Sequence, residues 1–279
     1  MSDKTMQRIS RREFLRLSAL VTAGAFAAAC VPTTPMVRPT EEKLVAPTEE
    51  AQFANPQLLV ETDWLAEHLK DENLRIVDAR KAEDYARGHI PGAISIPRPA
   101  TFDPDAPKGI LGKPEQIAEL FGGKGINEKV HVVVYDGGRE TAASRVFWTL
   151  EYYGHPNVSV LNGGFTKWRA EGRGTSTEEP EVTPVRFTPE IHPEVLTTKE
   201  EILSKIGQEG VVFLDARSLE EYKGRDVRAK RGGHIPGAVN LDWRENFTED
   251  DVPVFKSPAQ LKELYTKAGV TPDKEVHAY

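Results

Sequence analysis

The chain has 279 residues, a formal net charge of −7 and a single cysteine. That length accommodates two domains of ordinary size. The acidic balance argues against nucleic acid as a partner, and one cysteine excludes a disulfide framework.

In chain order, residues 1–30 read as an address and not as part of the fold. Ser10-Arg11-Arg12-Glu13-Phe14-Leu15-Arg16 resembles a twin-arginine export signal, with Arg11 and Arg12 as its pair. The uncharged run Leu17–Ala29 that follows has 13 residues, short of the roughly 20 that span a bilayer as a helix. Ala27-Ala28-Ala29-Cys30 resembles a lipobox, with Ala27 where leucine is more usual. Lipidation of Cys30 and plain A-x-A cleavage are the two processing alternatives. Five basic and two acidic residues precede Leu17, so the part from Cys30 onward carries −10. The expectation is a protein exported by the twin-arginine machinery and held in the cell envelope by a lipid anchor, in the periplasm or on the outer face of the cytoplasmic membrane. Residues 31–57 read as a flexible tether, with Pro32, Pro35, Pro39 and Pro47 and little apolar periodicity.

Residues 58–175 alternate short apolar strands with helices. Strands are expected at Arg75–Asp78, Ala93–Ile96, Val130–Tyr135 and Ser159–Leu161, and the third is a continuous apolar run of the kind buried in a parallel sheet. Helices are expected at Pro114–Phe121, Thr141–Tyr153 and Phe165–Ala170. In the second, Ala142, Val146, Thr149, Leu150 and Tyr153 share one face at 3.6-residue spacing. Residues 176–193 fall in a Thr-, Glu- and Pro-rich stretch that suits an interdomain connection, and residues 194–279 form a second domain. Strand–helix alternation with crossovers implies a small, mainly parallel three-layer α/β architecture.

The second domain repeats the first. Val77-Asp78-Ala79-Arg80 recurs as Leu214-Asp215-Ala216-Arg217, an offset of 137. Gly88-His89-Ile90-Pro91-Gly92-Ala93 recurs identically from Gly233 to Ala238, an offset of 145, so eight extra residues lie within Lys223–Gly232. An offset of 144 sets Val132–Tyr135 opposite Val276–Tyr279.

These blocks resemble the rhodanese family, specifically the tandem-domain thiosulfate and 3-mercaptopyruvate sulfurtransferases. The signature Asp-Ala-Arg-x4-Tyr followed by Gly-His-Ile-Pro-Gly-Ala occurs twice. Val132–Asp136, Arg145-Val146-Phe147-Trp148 and Val160–Trp168 are similar to the family's first domain, and Val254–Pro258 with Leu261 and Tyr265 to its second. The resemblance implies two tandem rhodanese-like α/β domains and a cysteine persulfide formed at the end of the second domain's central strand. It also implies a small anionic sulfur donor (thiosulfate or 3-mercaptopyruvate), a thiol or cyanide acceptor, and no cofactor or metal.

Asp136 occupies the first domain's equivalent of the nucleophile, and a carboxylate cannot carry a persulfide, so that domain reads as non-catalytic. Asp215 and Arg217 are candidates for supporting an active loop. His89 and His234, present in both copies, read as structural turn residues. In the insertion Arg225, Arg228, Lys230 and Arg231 are candidates for steering a small anion. Glu221 stands where some members of the family have a substrate-binding arginine.

By the 144 offset, the counterpart of Asp136 would follow Tyr279. The expectation is therefore a second domain cut short before its catalytic loop, a natural chain with cysteine after Tyr279, and no persulfide chemistry in these 279 residues, which contain no catalytic residue. The alternative reading is a non-catalytic exported lipoprotein whose rhodanese-like domains bind a partner or small anion. Related cysteine-dependent phosphatases would need a longer catalytic loop.

Overall fold

The structure is a computed structural model that describes residues 52–139 and 141–279. Arg11, Arg12 and Cys30, with the export-signal, lipobox and most of the tether expectations, lie outside the described residues.

The first half opens with β1 (Leu59–Val60), α1 (Thr62–His68), β2 (Leu74–Asp78), α2 (Ala82–Ala86) and β3 (Ile94–Ser95). It continues with α3 (Pro114–Gly123), β4 (His131–Tyr135), α4 (Thr141–Tyr152), β5 (Val158–Leu161) and α5 (Gly164–Ala170). Its five strands pair in the order β1-β5-β4-β2-β3, all parallel. Central β4 is buried from Val132 to Tyr135, as its unbroken apolar sequence requires when helices cover both faces. One face packs Val132 and Val134 with Phe121, Val146 and Leu150, and the other packs Val133 and Tyr135 with Leu65, Tyr85 and Trp168. Helix α4 buries Ala143, Val146, Thr149 and Leu150, the face predicted by its periodicity with Ala143 taking the place of Ala142.

The second half contains α6 (Lys199–Lys205), β6 (Val211–Asp215), α7 (Leu219–Tyr222), β7 (Val239–Asn240), α8 (Pro258–Lys267) and β8 (Glu275–Ala278). Its parallel strands run β7-β6-β8, the arrangement of β3-β2-β4. Capping boxes start α6, α7 and α8: Thr198 with Glu201, Ser218 with Glu221, and Ser257 with Gln260. Each satisfies otherwise unpaired N–H groups of a first turn. Two α/β units with parallel sheets match the expected fold class.

The stretch 176–193 packs along the first half. Ser176 and His89 exchange backbone hydrogen bonds, Val185 N–H donates to Gly122 O, and Glu190 N–H donates to Tyr153 O. Phe187 is buried edge-on against Phe121. Among the described residues no helix is long and apolar enough to cross a membrane.

Candidate functional site

The C-terminal ends of the central strands are where open α/β sheets collect functional groups, and here both copies build the same bracket. In the first, Asp78 ends β2 with its side chain fully buried. Arg80 Nε donates to it at 3.0 Å and Arg80 Nη2 at 2.5 Å, while Nη2 also reaches Gly88 O at 2.7 Å. The Tyr135 hydroxyl donates to Asp78 Oδ2 at 2.6 Å and accepts from Ile90 N–H at 3.1 Å. The guanidinium of Arg80 lies 3.9 Å from the Phe165 ring centroid.

In the second copy Arg217 donates to Asp215 at 2.6–2.9 Å and to Gly233 O at 2.9 Å. The Tyr279 hydroxyl accepts from Ile235 N–H at 3.0 Å. Burial alone would push Asp215 up, but hydrogen bonds from Arg217 and Tyr279 hold its carboxyl below the usual range. Burial pushes the hydroxyls of Tyr135 and Tyr279 upward, and the neighbouring aspartates add to it, so both act as neutral donors.

Asp136, the residue after β4, is buried. Its carboxylate accepts from the N–H groups of Gly138 at 2.9 Å, Ala142 at 2.7 Å and Ala143 at 3.3 Å. The latter two belong to the first turn of α4, whose dipole favours a negative charge there. Close approach makes the cradle possible: a Cβ on Gly164 would stand 2.6 Å from Asp136 O and 3.0 Å from Gly138 N, and Gly164 has φ +50°. The carboxylate thus fills an anion seat made of backbone N–H groups at the start of a helix.

A cleft of about 1200 Å³ opens over this loop. It is lined by Arg80, Arg98, Asp136, Arg139 and Thr141 of the first half and by Glu249, Asp250 and Asp251 of the second. The second half is fastened beside it by Phe255 N–H, which donates to Asn162 Oδ1 at 3.0 Å, while Asn162 Nδ2 donates to Glu61 at 2.7 Å. Neither the acidic lip nor the Asn162 clamp was anticipated from sequence. Both occur once, whereas the repeat directs attention to what occurs twice.

His89 and His234 stack on Tyr85 and Tyr222 at 3.9 and 3.8 Å between ring centroids. Their Nδ1 atoms lie 3.0 and 2.9 Å from the carbonyl oxygens of the same tyrosines, the backbone-bonded turn expected of both. In the insertion Arg225 pairs with Glu220, and Arg228 with Asp226 and Glu221. Lys230 and Arg231 are exposed. The structure therefore splits the four steering candidates into two neutralised arginines and two solvated cations. Glu221 caps α7 through Ser218. Among the described residues no cluster of three or more His, Cys, Asp or Glu side chains could hold a metal ion.

The rhodanese-like domain model matches residues 61–171 and again 198–279. The chain is 35% identical to the thiosulfate sulfurtransferase of Azotobacter vinelandii, over 80% of this chain and 82% of that protein. It is 34% identical to the sulfur carrier protein TtuD of Thermus thermophilus, over 81% and 83%. The crystal structure of SseA from Escherichia coli, a 3-mercaptopyruvate sulfotransferase, superposes with a TM-score of 0.72 at 30% identity, covering 79% of this chain and 87% of that one.

Proposed function

The chain belongs to the rhodanese family, and from that premise we propose that it represents a sulfurtransferase that moves sulfane sulfur from thiosulfate or 3-mercaptopyruvate to a thiophilic acceptor. The nucleophile is a cysteine following Tyr279 in the natural chain. One observation carries this reading: β8 and Tyr279 repeat the bonds that β4 and Tyr135 make to the Asp-Ala-Arg strand and to the Gly-His-Ile-Pro turn, and the residue after Tyr135 sits in a cradle of backbone N–H groups. A thiol in the equivalent seat of the second copy would be held as thiolate by such groups and the helix dipole.

The thiolate attacks the outer sulfur of thiosulfate. The S–S bond of thiosulfate breaks, sulfite leaves with the electron pair, and a cysteine persulfide remains. Cyanide or a thiolate then attacks the outer persulfide sulfur and the cysteine thiolate departs. Asp215 and Arg217 support the loop from the strand end, while Lys230 and Arg231, with Arg225 and Arg228 behind their acidic partners, supply the anion-steering field. Domain 1 (58–175) is the non-catalytic partner, joined through residues 176–193 to domain 2 (194–279). Export through Arg11 and Arg12 and anchoring through Cys30 place the enzyme in the cell envelope.

The test is thiocyanate production from thiosulfate and cyanide, and pyruvate release from 3-mercaptopyruvate, by the natural chain sequenced past codon 279. Activity is expected there and not in the 279-residue chain. Turnover by the 279-residue chain, or an in-frame stop directly after Tyr279 in the gene, overturns the assignment of the nucleophile.

A further inference from the structure

The two copies share the Asp-Arg grip but not what stands beside it. In the first copy a recess of about 410 Å³ opens next to that grip, lined by Arg80, Asp84 and Arg87 and by Phe165, Arg169 and Thr175. Three of these six side chains carry guanidinium groups. In the second copy the offset of 137 that aligns Arg80 with Arg217 puts Gly224 in place of Arg87. The grouping is therefore not a by-product of the repeat.

Arg80 is the fixed member. Its Nε and Nη2 are engaged by Asp78 and Gly88 O, and its Cζ lies 3.9 Å from the Phe165 ring centroid. These contacts hold the group and leave Nη1 without a protein acceptor among the described residues. Arg169 follows Phe165 by four residues on α5, which sets the two on one face of the helix. Its side chain is exposed and enters no ion pair or hydrogen bond among the described residues. Arg87 closes the C-terminal end of α2 and pairs with Asp84 at the solvent edge. Such an exposed pair holds weakly and leaves the other guanidinium N–H groups open.

Neither Arg87 nor Arg169 is buried, so neither is there to fill a core. Their convergence with a clamped third arginine sets like charges around one recess, an arrangement that an anion relieves. We propose that Arg80, Arg87 and Arg169 form a binding site for a compact tetrahedral oxyanion, of the class of sulfate and phosphate. Each guanidinium fork can donate to two oxygens at once, and forks from a strand end and two helices suit an anion with oxygens on every side. The Thr175 hydroxyl adds a neutral donor. Asp84 on the rim disfavours a long polyanion, so a compact one is selected. The site stands apart from the sulfur-transfer reading, since none of its residues belongs to the Asp215–Arg217–Tyr279 bracket and Asp136 does not line it.

Inorganic sulfate and phosphate are the probes, each titrated calorimetrically into the 279-residue protein at an ionic strength held constant with chloride. One saturable site is expected, with acetate binding at least tenfold more weakly. Arg87→Gln and Arg169→Gln should each weaken the site at least tenfold. Both arginines are exposed, so both variants keep the fold, which the far-UV spectrum and the melting temperature without anion verify. Lys70→Gln, which removes an exposed cation outside the recess, should leave the affinity unchanged. Absence of saturable binding, wild-type affinity in either arginine variant, acetate binding as tightly as sulfate, or an equal loss in Lys70→Gln overturns the proposal.

Discussion

Tyr135 and Tyr279 stand 144 residues apart in the sequence and do one task twice: each hydroxyl accepts the N–H of the isoleucine in its own Gly-His-Ile-Pro turn, at 3.1 and 3.0 Å. Each tyrosine's carbonyl also accepts from the alanine of its Asp-Ala-Arg block, Ala79 or Ala216, both at 2.9 Å. The tyrosine is thus the bolt that joins central strand, neighbouring strand end and turn.

Tyr135→Phe removes that bolt where it is buried. It leaves Ile90 N–H without its partner and takes one donor from Asp78. Leaving buried groups unsatisfied costs about 1–3 kcal/mol, to be measured as a lowered urea midpoint. Tyr279→Phe should cost less, because Tyr279 is only half-buried. Equal losses would show that burial is not what sets the value.

Asp136→Ala should destabilise the protein by about 1–2 kcal/mol, the usual loss when a helix start is deprived of its cap. Three N–H groups lose an acceptor in this variant. Hydrogen exchange at Ala142 and Ala143 should quicken by tenfold or more. Asp136→Asn, which keeps an acceptor oxygen, should recover part of the loss. An exchange pattern unchanged in the alanine variant would refute the capping role.

The pH dependence of the second copy follows from Asp215. Its folded pKa is depressed, so it binds a proton more readily when unfolded. Its contribution is therefore present above the ordinary aspartate value of about 3.9 and is lost as pH falls through the lower, folded value. Asp215→Asn should lower stability at pH 7 by about 1–3 kcal/mol. The gap from wild type should close as the pH is taken below about 4, followed by urea midpoints across that range. A gap that stayed constant with pH would sink the linkage.

The bracket itself was legible in the sequence because it is written twice. Asp78/Asp215, Arg80/Arg217 and the two Gly-His-Ile-Pro-Gly-Ala blocks recur in register, and an unbroken Val132–Tyr135 run announces a strand covered on both faces. Two-residue β1 was not legible, since Leu59-Val60 acquires its identity only by pairing with Val160 and Leu161. Nor could charge crowding in the insertion show which cations are free. Glu220 and Glu221, outside the crowded stretch, reach back to neutralise Arg225 and Arg228. Arg145 belongs to the Arg-Val-Phe-Trp block, but the burial of its Nη2 without a hydrogen-bond partner is a property of three dimensions.

The first turn is also tied to distant chain: His89 exchanges backbone bonds with Ser176, and its Nε2 lies 3.0 Å from Glu178 O. Phe187 and Glu190 add further closures on the same half. The consequence concerns biosynthesis. A nascent chain emerges from the ribosome N-terminus first, and domains fold as units as they appear. The first half here cannot complete its packing until residue 190 is outside the exit tunnel, so stretch 176–193 sets the moment at which that half becomes resistant to proteases.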